Sequence, residues 1–491
     1  MSELHFSWLE MSILVPVIGA LIVGRLRGSD AKRRWSVFFA GLTFIFTVGA
    51  WRDFQWLHVA QAEDQWHFLE QWFGRKVFII DNLNAPLLPL IALLHVLTAL
   101  ATLRTKVQRF SFSWALISEA IMLATFTAKE PWVIIALMAA STIPPYRELR
   151  ARNKPTRVYA IHMGLFIVML AMGWAFVEIE GTNRVHSLWA IVPLLLAVLI
   201  RSGINPLHCW MTELFEHATF GTALLFVVPI PGAYVATRLV LPIAPDWVLR
   251  SVGLLSLATA VYAASMALIQ KDGRRFFCYL FLSHSALVLV GLEVVTPIGL
   301  TGALCVWLSV GLALGGFGLT MRALESRVGR LSLADFQGLY SHTPALAMLF
   351  VLTGLASVGF PGTFGFIGTE LLVDGAVEAY PLVGVAVVVA AALNGIAIVQ
   401  MFFRLFTGTQ YFSTVSLRLR KRERFAVLLL ALLILGGGLA PQPGVASRHH
   451  AAHELLDQRH ELQEASRRHD ENERKLTLRR RQTATGEQQL D

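Results

Sequence analysis

The chain has 491 residues, of which 55% are hydrophobic and 15% are charged. Together with a mean hydropathy of +0.57, this composition excludes a soluble globular protein of that length. The formal net charge of +9 does not indicate nucleic-acid binding. The basic residues form short clusters between apolar runs, as they do in the loops of membrane proteins.

The apolar runs are long and continuous, which predicts membrane-spanning helices. A helix needs roughly 20 apolar residues to cross the hydrocarbon core, and we count about 14 candidate segments. They begin near residues 8, 36, 84, 111, 131, 157, 187, 220, 246, 275, 297, 343, 382 and 424. The runs do not alternate, and an open sheet would leave unpaired backbone groups in lipid. We therefore expect an all-α, polytopic membrane protein.

Basic clusters indicate the orientation of these spans. They follow the odd-numbered spans, at residues 25–34, 104–109, 147–157, 271–275, 322–330 and 418–424. The positive-inside rule then places the N-terminus outside. The segment 51–82, poor in basic residues, is expected to be an external loop with interfacial tryptophans at Trp51, Trp56, Trp66 and Trp72.

The two ends of the chain and its cysteines carry fewer signals. Residues 13–23 follow an acidic start and precede basic residues, which favours a retained first span over a cleaved signal peptide. Residues from about 447 onward are polar and are expected to form an exposed tail, helical or disordered. The cysteines Cys209, Cys278 and Cys305 lie far apart without ligand spacing, so we expect no disulfide framework, metal site or cofactor.

Two predicted spans are interrupted by helix-breaking residues, one within residues 194–220 and one within residues 352–372. The breaking residues are Gly203 and Pro206 in the first span and Gly359, Pro361, Gly362 and Gly365 in the second. Proline removes an amide donor, and irregular backbone at membrane depth usually lines a cavity. Matched breaks in two halves of a chain are typical of inverted-repeat transporters, although a single break is often only a packing feature.

Four stretches, in order, resemble motifs of the antiporter-like subunits of respiratory complex I, which are shared with multisubunit cation/proton antiporters and membrane-bound hydrogenases. INPLHCWMTELFEHA (204–218) is similar to P-L-H-x-W-L-P-D-A-H, with Glu213 in the acidic place, and GAYVATRL (232–239) is similar to G-x-Y-x-x-x-R. ALIQKDGRRFFCYLFLSHSALVLVG (267–291) resembles A-L-x-Q-x-D-L-K-R-x-L-A-Y-S-S-I-S-H-x-G. LASVGFPGTFGFIGTELL (355–372) resembles L-A-x-x-G-x-P-P-T-x-G-F, and GLAPQP (438–443) is a weaker match.

The resemblance implies a fold of about 14 transmembrane helices in two inverted-repeat bundles, each a half-channel, joined by a polar axis at mid-membrane. The bundles are expected over residues 111–240 and 241–410. N-terminal transmembrane helices (1–110) precede them, and a last transmembrane helix (411–446) and the polar tail (447–491) follow.

The chain departs from the family at the buried charges of the proton path. The fifth-span glutamate position holds Ala139 or Ala140, the lysine positions match Arg201, Ile230, Ala313 and Asn394, and a histidine position matches Ser309. Arginine does not release its proton in the physiological range, so the usual route is not expected here. The ionisable residues that remain at membrane depth are His95, Glu119, His162, His208, His284, Glu370 and Asp374.

Each such group is a functional candidate because a charge in the bilayer is costly. We expect Glu119 and Arg201 to form a substitute charge pair, with His208 and His284 beside the half-channels. The predicted ion-translocation set is Glu119, Arg201, His208, Glu213, His284, Glu370 and Asn394. Two bland alternatives stay open: lone histidines can simply bind backbone carbonyls, and Glu370 and Asp374 can lie at the membrane interface.

No nucleotide, redox-cofactor or nucleophile motif indicates catalysis by the chain itself. The resemblance implies an ion-translocating, most plainly proton-translocating, subunit of a complex I-like assembly in the cell inner membrane, with other subunits, lipid and protons or Na⁺ as partners. One alternative is the membrane subunit of an inorganic carbon uptake system with a soluble zinc-binding partner, favoured by a divergent, short chain without a long helix after the core. Another is a non-conducting scaffold.

Overall fold

The computed structural model describes residues 2–66, 77–102, 110–181, 186–408 and 420–487. Trp72, the basic cluster 104–109 and part of the cluster 418–424 lie outside these residues. The α-helices in chain order are α1 (Trp8–Arg25), α2 (Ser29–Leu57), α3 (Leu87–Leu100), α4 (Phe112–Thr127), α5 (Pro131–Ser141), α6 (Ile143–Ala151), α7 (Arg157–Glu180), α8 (Leu188–Ser202), α9 (Cys209–His217), α10 (Phe220–Val227), α11 (Pro231–Val235), α12 (Asp246–Ile269), α13 (Gly273–Val294), α14 (Pro297–Val328), α15 (Pro344–Ser357), α16 (Phe364–Ala379), α17 (Pro381–Phe406), α18 (Lys421–Leu439) and α19 (Gln442–Glu487). A π-helical turn, Ala236–Val240, follows α11, and a 3₁₀ turn, Leu339–Ser341, precedes α15.

The all-α membrane architecture is confirmed, and each predicted apolar segment coincides with a helix. Eight helices in the described residues are long and apolar enough to cross a membrane, or nine if a bent pair is one span. Four shorter apolar helices, α3, α4, α8 and α15, accompany them. Fourteen spans and an inverted repeat therefore stay predictions.

Local sequence signals explain several helix starts. The Asp272 carboxylate accepts from the backbone N–H groups of Arg274 and Arg275 at the start of α13, at 3.0 and 3.1 Å. The Thr296 hydroxyl accepts from the Gly299 N–H at 3.1 Å, and Pro297 occupies the first turn of α14. The N–H groups in the first turn of a helix have no acceptor inside the helix. The Asp272 and Thr296 side chains supply acceptors for them, and Pro297 has no N–H group that needs one.

The N-terminal region contains a small sheet. Strand β1 (Ser2–Glu3) pairs in parallel with β2 (Gln61–Glu63), which pairs antiparallel with β3 (Ile80–Asp81). Residues 51–57 belong to α2, so the predicted loop over 51–82 begins too early. Trp56 is 79% exposed and Trp66 is 54% exposed, whereas Trp51 is half-buried.

Helix α14 is the centre of the bundle. It packs against α13, α15, α16, α18 and α19. Its Trp307 is fully buried, and the indole Nε1–H donates to the Pro229 carbonyl at 2.9 Å. The long, mostly buried α14 thereby joins the two regions that contain the interrupted spans.

The prediction of an exposed polar tail from residue 447 is wrong for its first part. Helix α19 begins at Gln442, and its described portion bends away from α18 at 78°. Arg448 and Arg459 are each only 1% exposed. Their guanidinium groups satisfy backbone carbonyls, which allows so polar a segment to be buried.

The contacts of these two arginines fix α19 across the ends of earlier helices. Arg448 donates to the carbonyls of Asn82 and Leu83, the latter at 2.9 Å, and Arg459 donates to the Leu241 carbonyl and, at 2.6 Å, to Asp246 Oδ1. With 46 residues, α19 also contradicts the expectation that no long helix follows the core.

Candidate functional site

Both predicted helix interruptions are confirmed. Helix α8 ends at Ser202, and Gly203 follows with φ of +71°, a conformation that favours glycine. The Asn205–Pro206 peptide bond is cis, and α9 begins at Cys209. The Trp210 indole N–H donates to the Ile200 carbonyl at 2.8 Å. Side chains thus bind backbone groups next to the break.

The second interruption separates α15 from α16 at residues 358–363. Gly359 and Gly362 adopt φ of +80° and +85° there, and Pro361 is exposed. Gly365 was predicted as a breaking residue, but it lies in the first turn of α16. A Cβ atom at Gly365 would lie 2.5 Å from both the Ala356 carbonyl oxygen and Ser309 Oγ. Glycine is required at this position because the segments approach each other closely.

Arg201 lies beside the first interruption and is 2% exposed. Its Nη2 donates to the Phe226 carbonyl at 3.2 Å. The guanidinium carbon lies 4.1 Å from the centroid of the Phe226 ring and 5.7 Å from that of Trp210. Aromatic faces and one carbonyl thus replace water around this cation. Among the described residues, its Nε has no hydrogen-bond partner.

Glu119 is fully buried on α4. Neither of its carboxylate oxygens has a hydrogen-bond partner among the described residues. The predicted pair between Glu119 and Arg201 is therefore wrong: Arg201 binds the Phe226 carbonyl and aromatic rings instead. A buried carboxyl with no partner among the described residues is costly at membrane depth, which keeps Glu119 a functional candidate.

His208 closes the first interruption and faces two tyrosines. Its ring centroid lies 5.7 Å from that of Tyr262 and 5.9 Å from that of Tyr279. Its Nδ1 has no hydrogen-bond partner among the described residues. His208 therefore differs from a histidine held only by its own helix, and the alternative of a satisfied backbone contact does not describe it.

The other intramembrane histidines do bind their own helices. The Nδ1–H groups of His95, His162 and His284 donate to the carbonyls four residues earlier, at 2.9, 2.8 and 2.8 Å. The bland alternative is thus confirmed for these bonds. Because Nδ1 carries the proton, Nε2 of a neutral His95 or His162 ring is left as an acceptor. His284 also interacts with the backbone of Ser357, beside the second interruption.

Asn394 and Ser283 form a buried polar contact next to His284. Asn394 Nδ2 donates to Ser283 Oγ at 2.8 Å, and Ser283 Oγ donates to the Ala260 carbonyl at 2.8 Å. Asn394 is fully buried, and its Oδ1 has no partner among the described residues. His284, another predicted residue, follows Ser283 directly in the chain.

Helix α13 connects the two interruptions. Tyr279, near His208, and Ser283 are four residues apart on this helix and so share one face. We call His208, Tyr262, Tyr279, Ser283, His284 and Asn394 the polar row. Hydroxyl and imidazole groups can both donate and accept protons, so this row is chemically suited to pass them on. The sequence analysis did not single out Tyr262, whose signal is a tyrosine inside an apolar helix.

Besides Glu119 and Arg201, the predicted residues Glu213, Glu370 and Asp374 lie outside the polar row. Glu370 and Asp374 are exposed on α16, in agreement with the alternative of an interfacial location. Glu213 is half-buried on α9, and its backbone carbonyl accepts from His217 Nδ1 at 3.1 Å. Among the residues with described side chains, none pairs with the Glu213 carboxylate.

Arg322 is a buried cation that the sequence analysis assigned to a loop cluster. It lies in α14, and its guanidinium donates to the Thr98 carbonyl and to Thr102 Oγ1, both at 2.9 Å. These contacts attach α14 to the end of α3. Its apolar flanks, GFGLTM before it and ALE after it, were the signal that it belonged to a helix.

An ionic cluster holds α9 beside the start of α13. Glu216 binds Arg275 at 2.6 Å, and Arg330 binds Asp272 at 2.7 Å through its Nε. The hydrogen bond to Asp272 raises the pKa of Arg330. Because the cluster is half-exposed, its ion pairs add little to stability, and their main effect is to hold α9 beside α13.

Known proteins resemble the chain over most of its length. A family model described as NADH:quinone oxidoreductase/Mrp antiporter, TM, matches residues 159–394, a range that includes both interruptions. NAD(P)H-quinone oxidoreductase chain 4 1 of Synechococcus elongatus is 26% identical over 486 residues and covers 90% of each chain. NADH-quinone oxidoreductase subunit 13 of Thermus thermophilus is 27% identical over 463 residues, covering 87% of this chain and 94% of the relative.

Solved structures share the fold. A chain of respiratory complex I from Thermus thermophilus aligns with a TM-score of 0.78 at 25% identity, covering 92% of this chain and 99% of that one. A chain of the Mrp complex from Dietzia sp. gives 0.80 at 17% identity, covering 94% and 99%. The fold and its apolar helices thus define a multi-pass membrane protein. Residues 159–394 thus match the NADH:quinone oxidoreductase/Mrp antiporter family, and the chain is similar over most of its length to membrane subunits of NADH-quinone oxidoreductases.

Proposed function

We propose that this chain moves protons across the cell inner membrane as one subunit of a multisubunit, energy-converting complex of the complex I type. The named relatives are subunits of quinone oxidoreductases, and the similar structures come from multisubunit complexes. The observation that carries the proposal for this chain is the polar row itself. It begins at the first interruption with His208 and reaches the second through His284, which interacts with Ser357.

The residues assigned to translocation divide into two groups in this proposal. The first group is titratable and consists of His208, His284 and Glu119. The second group supplies polar side chains along the proposed path and consists of Tyr262, Tyr279, Ser283 and Asn394. Arg201 keeps its proton and acts as a fixed positive charge, because guanidinium does not deprotonate at physiological pH. A fixed charge lowers the proton affinity of neighbouring groups and can thereby set the direction of transfer.

Proton flux through the whole complex tests this proposal. Membrane vesicles containing the complex with the wild-type chain, the Glu119→Gln variant or the Glu378→Gln variant are energised by NADH or by an imposed Na⁺ gradient. A pH-sensitive dye reports the flux. Glu119→Gln removes a buried titratable group and is expected to lower the flux about 100-fold, the lower end of the contribution usually ascribed to a proton-transfer group.

Glu378→Gln makes the same chemical change at an exposed carboxylate of α16 and is expected to leave the flux unchanged. Equal fluxes in the wild type and in Glu119→Gln, with both complexes fully assembled, would remove Glu119 from the path. An assembled wild-type complex that moves neither H⁺ nor Na⁺ through this chain would leave a non-conducting scaffold as its role.

A further inference from the structure

A large cavity opens among helix ends that carry basic residues. It has a volume of about 1080 Å³ and lies between the C-terminal ends of α1 and α6 and the N-terminal ends of α2 and α4. The orientation expected from the basic clusters places these four ends on the cytoplasmic side, at the level of the membrane surface. The cavity shares no lining residue with the polar row.

Positive charge dominates the lining. Arg27, Lys32, Arg147 and Arg152 line the cavity, against a single carboxylate, that of Glu148. Among the residues with described side chains, no carboxylate forms an ion pair with Arg27, Lys32 or Arg147. Three cations that face one space without a counterion attract an anion from outside.

The one carboxylate is already engaged. Glu148 Oε1 accepts from the Thr219 backbone N–H at 2.5 Å, and Oε2 accepts from the Thr222 hydroxyl. Arg152 Nη1 lies 3.5 Å from the same Oε1. Glu148 therefore fixes Arg152 at the cavity wall and leaves most of the positive charge of the lining uncompensated.

The remaining lining suits a headgroup with both polar and apolar parts. The Arg147 guanidinium carbon lies 5.0 Å from the centroid of the Trp114 ring, which orients this cation. Ser111 and the first residues of α4 border the cavity, so amides without an intrahelical acceptor add partial positive charge. Val23 and Phe112 provide apolar wall next to the charges.

We propose that this cavity binds a phosphate-bearing anion, supplied by the headgroup of an anionic phospholipid or by free inorganic phosphate. Basic pockets between transmembrane helices on the cytoplasmic side are suited to anionic headgroups. The volume exceeds what one phosphate needs and accommodates a glycerophosphate group with its first acyl carbons. The site would tie α1 and α2 to α4 and α6 through one shared ligand.

Binding to the purified full chain in neutral detergent tests the proposal. The probes are short-chain phosphatidylglycerol, short-chain phosphatidylcholine and inorganic phosphate, each titrated while thermal unfolding is followed. The test variant is Arg27→Gln/Lys32→Gln/Arg152→Gln. The matched control is Arg25→Gln/Arg34→Gln/Arg150→Gln, which removes the same charge at exposed positions two residues away from each changed residue and outside the cavity.

Phosphatidylglycerol is expected to raise the melting temperature of the wild type and of the control variant. Phosphatidylcholine should raise it much less, because the cations of the cavity repel its choline group. The test variant should bind phosphatidylglycerol about 100-fold more weakly, since each basic residue near an anionic surface contributes roughly fivefold. Protection by inorganic phosphate at least as strong as that by phosphatidylglycerol would identify free phosphate as the ligand. Equal losses in the test and control variants, or no protection by any anion, would overturn the proposal.

Discussion

The Asn394 side-chain amide donates to the Ser283 hydroxyl, which donates in turn to the Ala260 carbonyl. This relationship joins α17, α13 and α12 at one buried point, immediately before His284 in the chain. It has two consequences that can be measured separately. The bond holds three helices together, and it fixes the position of the residue that reaches the second interruption.

We predict that Ser283→Ala lowers the free energy of unfolding by about 1–3 kcal/mol, because it leaves the buried Asn394 amide without its acceptor. Chemical denaturation in detergent measures this change. In a double-mutant cycle with Asn394→Leu, the double variant should lose about 1 kcal/mol less stability than the sum of the two single losses. Both substitutions remove the same bond, so its loss is counted only once. The control is Ser256→Ala, whose buried hydroxyl has no partner among the described residues. Additive costs would show that the bond is not formed.

Arg201→Lys is predicted to destabilise the chain by about 1–2 kcal/mol, although the charge is kept. Lysine cannot lay a planar cation over the Phe226 ring while it donates to the Phe226 carbonyl. Thermal unfolding reports the loss. Arg250→Lys provides the comparison, since Arg250 lies over Tyr380 at an exposed position and its replacement should cost little. The same loss in both variants would mean that burial of the Arg201 cation contributes nothing.

Gly365→Ala is predicted to destabilise the second interruption by about 1–3 kcal/mol, the usual cost of overpacking. The added methyl group would meet the Ala356 carbonyl and the Ser309 hydroxyl at 2.5 Å. Gly164→Ala is the matched control on α7, where no atom lies within 4 Å of the added methyl group. It should be neutral or stabilising by up to about 1 kcal/mol, because alanine favours helices. The melting temperatures of the two variants measure these effects. An unchanged melting temperature in Gly365→Ala would contradict the close approach of residue 365 to Ala356 and Ser309.

Arg448→Gln is predicted to release α19 from the ends of earlier helices. Glutamine is too short to reach both the Asn82 and Leu83 carbonyls, so two buried acceptors lose their charged donor. Limited proteolysis should then cut within residues 442–465 at least tenfold faster than in the wild type. Arg468→Gln, at an exposed residue farther along α19, is the control. Equal cleavage rates in Arg448→Gln and the wild type would show that other contacts hold this helix.

The sequence predicted the helices and both interruptions because these depend on local chemistry. Continuous apolar runs need only lipid to form helices, and Gly203 and Gly359 can adopt positive φ without a steric penalty. The partners of Arg201 could not be predicted in the same way. Which helices pack together decides whether a buried cation meets a carboxylate or an aromatic ring, and that packing is not local.

Two other errors have equally specific causes. Each residue of an α-helix is rotated by about 100° from the previous one, so a polar residue such as Glu370 can face outward even when its neighbours in sequence are buried. The tail was expected to be exposed because arginine is usually exposed. Backbone carbonyls satisfy Arg448 and Arg459, and a sequence does not show where free carbonyls lie.

Helix α19 also determines when the early part of the chain gains all of its contacts. Arg448 reaches the carbonyls of Asn82 and Leu83 across 366 and 365 positions of sequence. During synthesis, the segment between β3 and α3 therefore gains these contacts only after Arg448 has left the ribosome and the insertion machinery. A premature stop codon before residue 442 would leave α1 to α18 intact but would remove the contacts of Arg448 with Asn82 and Leu83. The expected defect is therefore in the packing of the helices and not in their insertion.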